Sequence, residues 1–114
     1  MNHVRQRPLA VGPLRAFEAV ARRLSFRAAG EELHLTQPAI SRQIRSLEEE
    51  LGTVLFLRGT RHVELTGAGS SLLREVAPML DRLDRLDASV RLIRSAQGRQ
   101  RVTVTTFASL ASMW

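Results

Sequence analysis

Between Pro13 and Leu24 the apolar side chains Leu14, Phe17, Val20 and Leu24 recur three or four residues apart, the period of one face of an α-helix. Pro13 suits the first turn, where a missing N–H costs little. Ser25 offers a cap for a second, short helix over Phe26 to Leu33, with Phe26, Ala29 and Leu33 on its apolar side. Gly30 falls inside that helix, at a cost of about 1 kcal/mol against alanine. We read it as a close helix contact where a side chain does not fit. His34 and Leu35 make a short turn. Thr36 then caps a third helix, Pro38 lies in its first turn, and Gly52 stops it. Ile40, Ile44, Leu47 and Leu51 form its core stripe.

Beyond Gly52 the period shortens. "LFLR" and "HVEL" read as two short strands around "GTR", a hairpin. Thr66 can cap the next helix, with "GAG" (Gly67 to Gly69) as a flexible start. From there Leu72, Val76, Met79, Leu83, Leu86, Val90 and Ile93 keep a strict four-three alternation, an a/d seam suited to dimerisation. Asp81 with Arg85, and Asp87 with Arg91, are i,i+4 pairs in the favourable order. Pro78 interrupts the run and predicts a kink or irregular turn near Val76–Ala77. "SAQGRQR" ends the helix. Val102 to Thr105 reads as a strand and "TFASLASMW" as a turn into another helix. One strand without partners is not a domain, so the chain reads as the front of something longer. The resulting division is a tail over 1–12, a helical and hairpin unit over 13–66, a long helix over 67–97 and a hinge with an opening strand over 98–114.

The third helix has a charge asymmetry. With Ile40 and Leu47 turned to the core, Pro38, Arg42 and Arg45 face outward, flanked by Ser41 and Gln43. Glu48, Glu49 and Glu50 follow in the second half. A short helix crossing just before it, through a tight turn, makes a helix-turn-helix, whose recognition helix enters the major groove by its N-terminal half. There the helix dipole and free N–H groups favour phosphate, arginine can bridge guanine O6 and N7, and Gln37 and Gln43 can address adenine. The glutamates then lie beyond the groove. Arg58 and Arg61, around Gly59 and Thr60, put a basic tip on the hairpin, which suits a wing along the backbone or minor groove. The fold class is therefore mainly α: a winged helix-turn-helix followed by a long dimerisation helix. Its two-fold symmetry would address paired half-sites.

Composition agrees. The 114 residues carry a net charge of +6, and all 17 basic residues are arginine. That balance points to an acidic partner. No apolar run is long enough to span a bilayer and the start carries no signal peptide, so a bacterial cytoplasmic protein is expected. Without cysteine there is no disulfide or thiolate site.

These stretches carry a resemblance. "LRAFEAVARRLSF", "AAGEELHLTQPAISRQIRSLEEELG" and "HVELTGAG" resemble the N-terminal part of LysR-type transcriptional regulators, from about Leu14 to Ser95. The resemblance implies a sequence-specific regulator that binds promoter DNA as a homodimer or a dimer of dimers. It also implies a small-molecule effector bound in a C-terminal domain of periplasmic-binding-protein type; no cofactor is expected in this chain itself. The residues it places at DNA are Arg27, Thr36, Gln37, Pro38, Ser41, Arg42, Gln43, Arg45, Arg58 and Arg61. Such proteins usually carry threonine at Arg27 and alanine at Gly30, so Arg27 is an additional candidate phosphate contact. Ser109 would sit at the mouth of the effector site.

Nothing suggests an enzyme. His3, His34 and His62 lack metal-ligand spacing, and no nucleophile or paired carboxylate stands out. The rival from another class is a coiled-coil protein that docks an acidic protein partner. It explains the seam and the charge, but not why the arginines gather at one helix start and one hairpin tip.

Overall fold

The computed structural model describes residues 9–99, and the expectations for His3, the strand over Val102 to Thr105 and Ser109 lie outside them. The order of elements is α1 (Val11–Arg23), α2 (Phe26–Leu33), α3 (Gln37–Leu51), β1 (Phe56–Arg58), β2 (Val63–Leu65) and α4 (Gly67–Arg99). The described residues belong to two compact units, divided between Pro78 and Met79.

In the first unit α1 starts at Val11, two residues before the expected position, so Gly12 and Pro13 fill its first turn. It ends where Leu24 enters the left-handed region at φ 52° and its N–H bonds the Val20 carbonyl at 2.6 Å. Leu24 was expected on the apolar stripe. The turn carries it outward instead, and it is 50% exposed. Leu51, the last member of the α3 stripe, is also exposed because its helix ends there. The inner positions behave as their period predicts: Leu14, Phe17 and Val20 of α1 and Ile40, Ile44 and Leu47 of α3 are buried.

The caps fall where expected. Ser25 Oγ accepts from the Ala28 N–H at 3.0 Å and Thr36 Oγ1 from the Ala39 N–H at 3.2 Å. Gly52, at φ 70°, closes α3. Between α2 and α3, His34 takes a left-handed conformation and the Leu35 N–H bonds the Gly30 carbonyl at 2.8 Å. A β-carbon on Gly30 would lie 2.6 Å from the Leu35 carbonyl oxygen. The glycine therefore permits a close approach, made by the turn folded back onto its own helix rather than by the helix contact expected.

The wing strands pair antiparallel, with Phe56 opposite Leu65 and Arg58 opposite Val63. Alternation along β1 turns Phe56 inward and leaves Leu57 exposed. Phe56 stands 5.5 Å from the Phe17 ring and 5.9 Å from the Phe26 ring, which ties the wing to α1 and α2. Thr66 closes the hairpin onto α4: its N–H bonds the Leu55 carbonyl, and its hydroxyl donates to the Val54 carbonyl and accepts from the Gly69 N–H. The flexible start expected for "GAG" is corrected at Gly69. It is buried, and a β-carbon there would fall 2.3 Å from the Leu55 carbonyl oxygen and 2.7 Å from Leu65 Cδ2.

Helix α4 is continuous through Pro78: of the kink or irregular turn expected there, an irregular turn that ends the helix is not formed. The ring removes one N–H and leaves the Arg74 carbonyl without its i+4 donor. Val76, assigned to the dimerisation seam, is buried within the single chain, and Leu72 is half-buried. In the second unit Met79, Leu86 and Ile93 are exposed and Leu83 and Val90 half-buried. Asp81 and Arg85 form the expected ion pair.

Four charges brace α1 against α2. Arg22 bonds Glu18 at 2.9 Å and also reaches Glu32, which Arg23 approaches at 2.6 Å. Both arginines lie in the last turn of α1, where cations complement the dipole. Hydrogen bonds from Arg22 and then Arg23 lower the Glu32 carboxyl from the ordinary 4.5 to about 2.

Two outcomes follow. Gly69→Ala should destabilise the fold by about 1–3 kcal/mol, since neither carbonyl nor leucine can yield freely; urea denaturation with an unchanged m-value measures it. The Glu32 stabilisation is fully present above pH 4.5 and is lost as pH falls through about 2. Water reaches the cluster, so it is worth about 1 kcal/mol. Glu32→Gln should therefore lower the melting temperature at neutral pH, and the gap from the parent chain should close at the acid end of a pH series.

Candidate nucleic-acid interface

Three elements converge on one surface. The start of α2, the first two turns of α3 and the wing enclose an open groove of about 360 Å³. Five of the arginine and polar residues singled out from the sequence line it: Arg27, Gln37, Ser41, Arg58 and Arg61. Thr36, Pro38, Arg42 and Arg45 are exposed. Pro38, Arg42 and Arg45 are spaced four and three apart on α3, hence on one face. Thr36 Oγ1 caps α3 by accepting from the Ala39 N–H, and its hydroxyl proton remains a donor at the exposed helix start.

The arginines differ in what holds them. Arg42, Arg45 and Arg61 make no ion pair among the described residues. Arg27 approaches Glu31 at 3.4 Å, with both side chains largely in water, a pairing worth about 0–1 kcal/mol. Arg58 is fixed on two sides: its guanidinium carbon stands 4.5 Å above the Phe26 ring, and its nitrogen is 3.9 Å from Glu48 Oε1. Each contact contributes on the order of 0.5–1 kcal/mol at a half-exposed site. Arg58 is thus the last residue of β1, set against the groove wall, rather than a free cation at the hairpin tip.

Gln43 needs correction. It lies three residues after Ile40 and one before Ile44, next to the core stripe. Its Oε1 is buried without a hydrogen-bond partner and points toward Gly12 of α1, 3.5 Å from where a β-carbon would stand. That end of the amide faces the α1–α3 contact and not the face that carries Arg42.

The sequence reading missed Glu48. Glu48 Oε2 accepts from the Leu55 N–H at 2.8 Å and the Phe56 N–H at 3.4 Å, joining α3 to the first strand of the wing. A signal was available: Glu48 follows Ile44 by four residues and Leu47 by one, so it borders the core. The histidines take ordinary places, His34 in the left-handed turn and His62 beside Glu64 at 3.3 Å.

The sequence model described as bacterial regulatory helix-turn-helix protein, lysR family, matches residues 12–70, more than half of the chain. The chain belongs to the lysR family. Among curated LysR relatives it is 40% identical over 107 residues to the HTH-type transcriptional activator AmpR of Providencia stuartii, covering 93% of this chain and 35% of that protein. It is 42% identical over 101 residues to the glycine cleavage system transcriptional activator of Escherichia coli K12, covering 89% and 32%. The chain thus spans about a third of the length of these relatives. In structure it is similar to the BenM DBD in complex with benA site 1 DNA, with a TM-score of 0.67, 37% identity, and coverage of 76% of this chain and 98% of that one. It is likewise similar to the CbnR DBD in its DNA complex, with a TM-score of 0.65, 36% identity, and coverage of 75% and 98%. No helix among the described residues is long and apolar enough to cross a membrane.

Proposed function

We propose that this LysR-family chain binds promoter DNA in a sequence-specific manner as a homodimer, and is the DNA-reading part of a bacterial, cytoplasmic transcriptional regulator rather than an enzyme. The observation that carries the reading is the placement of the cations. Arg42 and Arg45 share the outward face of α3, Arg61 stands across the groove on the wing, and none of the three has an acidic partner among the described residues. An α-helix with that face forward fits the major groove, where Arg42 and Arg45 can meet guanine edges and Ser41 and Gln37 a base or phosphate. The wing then falls on the adjacent backbone or minor groove, with Arg61 as its forward cation. The complexes formed by the BenM and CbnR DBDs, each with DNA, support this reading.

Pairing two such surfaces falls to α4. Met79, Leu83, Leu86, Val90 and Ile93 leave an apolar stripe that a second copy would cover. Val76 and Leu72 serve the chain's own fold more than this stripe. The resemblance to LysR-type regulators further implies a small-molecule effector that acts outside the described residues.

Base and phosphate contacts separate in mutants. Arg42→Ala should weaken binding to a cognate duplex by about 1–3 kcal/mol and relax preference at the bases it meets. Arg61→Ala should weaken all duplexes by about the same factor and lower the salt slope by about one. Fluorescence anisotropy over a salt series distinguishes the two; unchanged binding in both would contradict the groove assignment.

A further inference from the structure

The wing arginine at the groove wall already has an anion beside it. Glu48 Oε1 lies 3.9 Å from the Arg58 guanidinium, while Oε2 of the same carboxylate accepts the Leu55 and Phe56 N–H groups. The Glu48 side chain is only 15% exposed and Arg58 36%, so the carboxylate approaches from the protein side and the guanidinium keeps one side toward the groove. Phe26 lies under the planar group and restricts it to that station.

We infer that Glu48 is a positioning residue that stands in for a phosphate on Arg58, so that a nucleic-acid phosphate reaches this arginine only by competing with an internal carboxylate. The inference rests on the DNA-binding reading and deepens it. A free arginine strengthens binding to any duplex, because every duplex presents phosphates. An arginine whose charge is partly offset from within contributes less to a poorly seated duplex. It contributes fully only where the other contacts bring a phosphate to the open side of its guanidinium. Glu48 would therefore reduce non-specific affinity more than specific affinity, and the first of the three glutamates of α3 would work for discrimination. The backbone bonds of Oε2 keep the carboxylate in place while Arg58 exchanges partners, because they do not involve Oε1.

Glu48→Gln tests this, since its amide oxygen can still accept from Leu55 while the charge is gone. With wild type and variant compared by anisotropy on a cognate and a shuffled duplex, Glu48→Gln should tighten the shuffled duplex about 2- to 5-fold, steepen its log–log salt slope, and narrow the ratio between duplexes. A merely structural role would lower the melting temperature and weaken both duplexes without steepening the slope, and that result would overturn the inference. If Glu48→Gln does not fold, Arg58→Gln in the native background reads the same effect: it should lower the shuffled-duplex slope by clearly less than Arg61→Gln, and equal losses would overturn it. If the wild type binds neither duplex, the DNA-binding reading fails on its own. The carboxylate is then read with inorganic phosphate and the Arg58 Nε–H resonance, which should respond at several-fold lower phosphate in Glu48→Gln than in wild type; identical titrations would reject it.

Discussion

Phe56 is the side chain on which the first unit depends. It is 2% exposed and comes from a three-residue strand, too short to hold itself by ladder hydrogen bonds alone. Its ring meets Phe17 of α1 and Phe26 of α2, so the wing is anchored by aromatic packing. The same contact arranges the polar surface. Once Phe56 is inward, alternation places Arg58, two residues on, back on the same side of the strand, over the Phe26 ring. Leu55 just before it offers its carbonyl to Thr66 and its N–H to Glu48. The buried ring thus fixes the wing relative to α1 and α2, while the hydrogen bonds of Leu55 join it to α3 and to Thr66 at the start of α4.

The charge asymmetry of α3 follows from two demands on one helix. Its first half lies at the positive end of the helix dipole and carries exposed arginines, a cationic end suited to an anionic polymer. Its second half must receive the wing, whose first residues bring unpaired N–H groups toward a partly buried seam. A glutamate bordering the core meets those groups, and leaving them unmet would cost about 1–3 kcal/mol each. Glu48 is therefore the continuation of the fold into the hairpin, in addition to standing beside the groove arginine Arg58.

Most of the architecture was legible because local signals are strong here. The caps at Ser25 and Thr36, the glycine stop at Gly52 and the four-three spacing of Ile40, Ile44 and Leu47 act within a few residues of where they are read. Misreadings came where distant segments meet. Gly69 looked like a loose helix start because the Leu55 carbonyl that presses on it is fourteen positions earlier in the chain. Gln43 looked like a base reader because a polar residue was assumed to face outward, whereas its position beside Ile44 turns its carbonyl toward α1. Arg58 was expected as a cation at the hairpin tip; it ends β1 at the groove wall because its ring and carboxylate partners come from other elements. Pro78 lies inside the 33-residue helix without ending it, since a single missing N–H is tolerated there.

The central claim is that these surfaces read DNA sequence. The most direct measurement is fluorescence anisotropy of this chain with a duplex taken from upstream of its own gene and a shuffled duplex of equal composition, each at two salt concentrations. Tighter binding to the native duplex, weakening as salt rises, is the expected result. Binding to neither duplex would contradict the claim and favour an acidic protein partner; equal binding to both would leave a cationic surface without sequence discrimination.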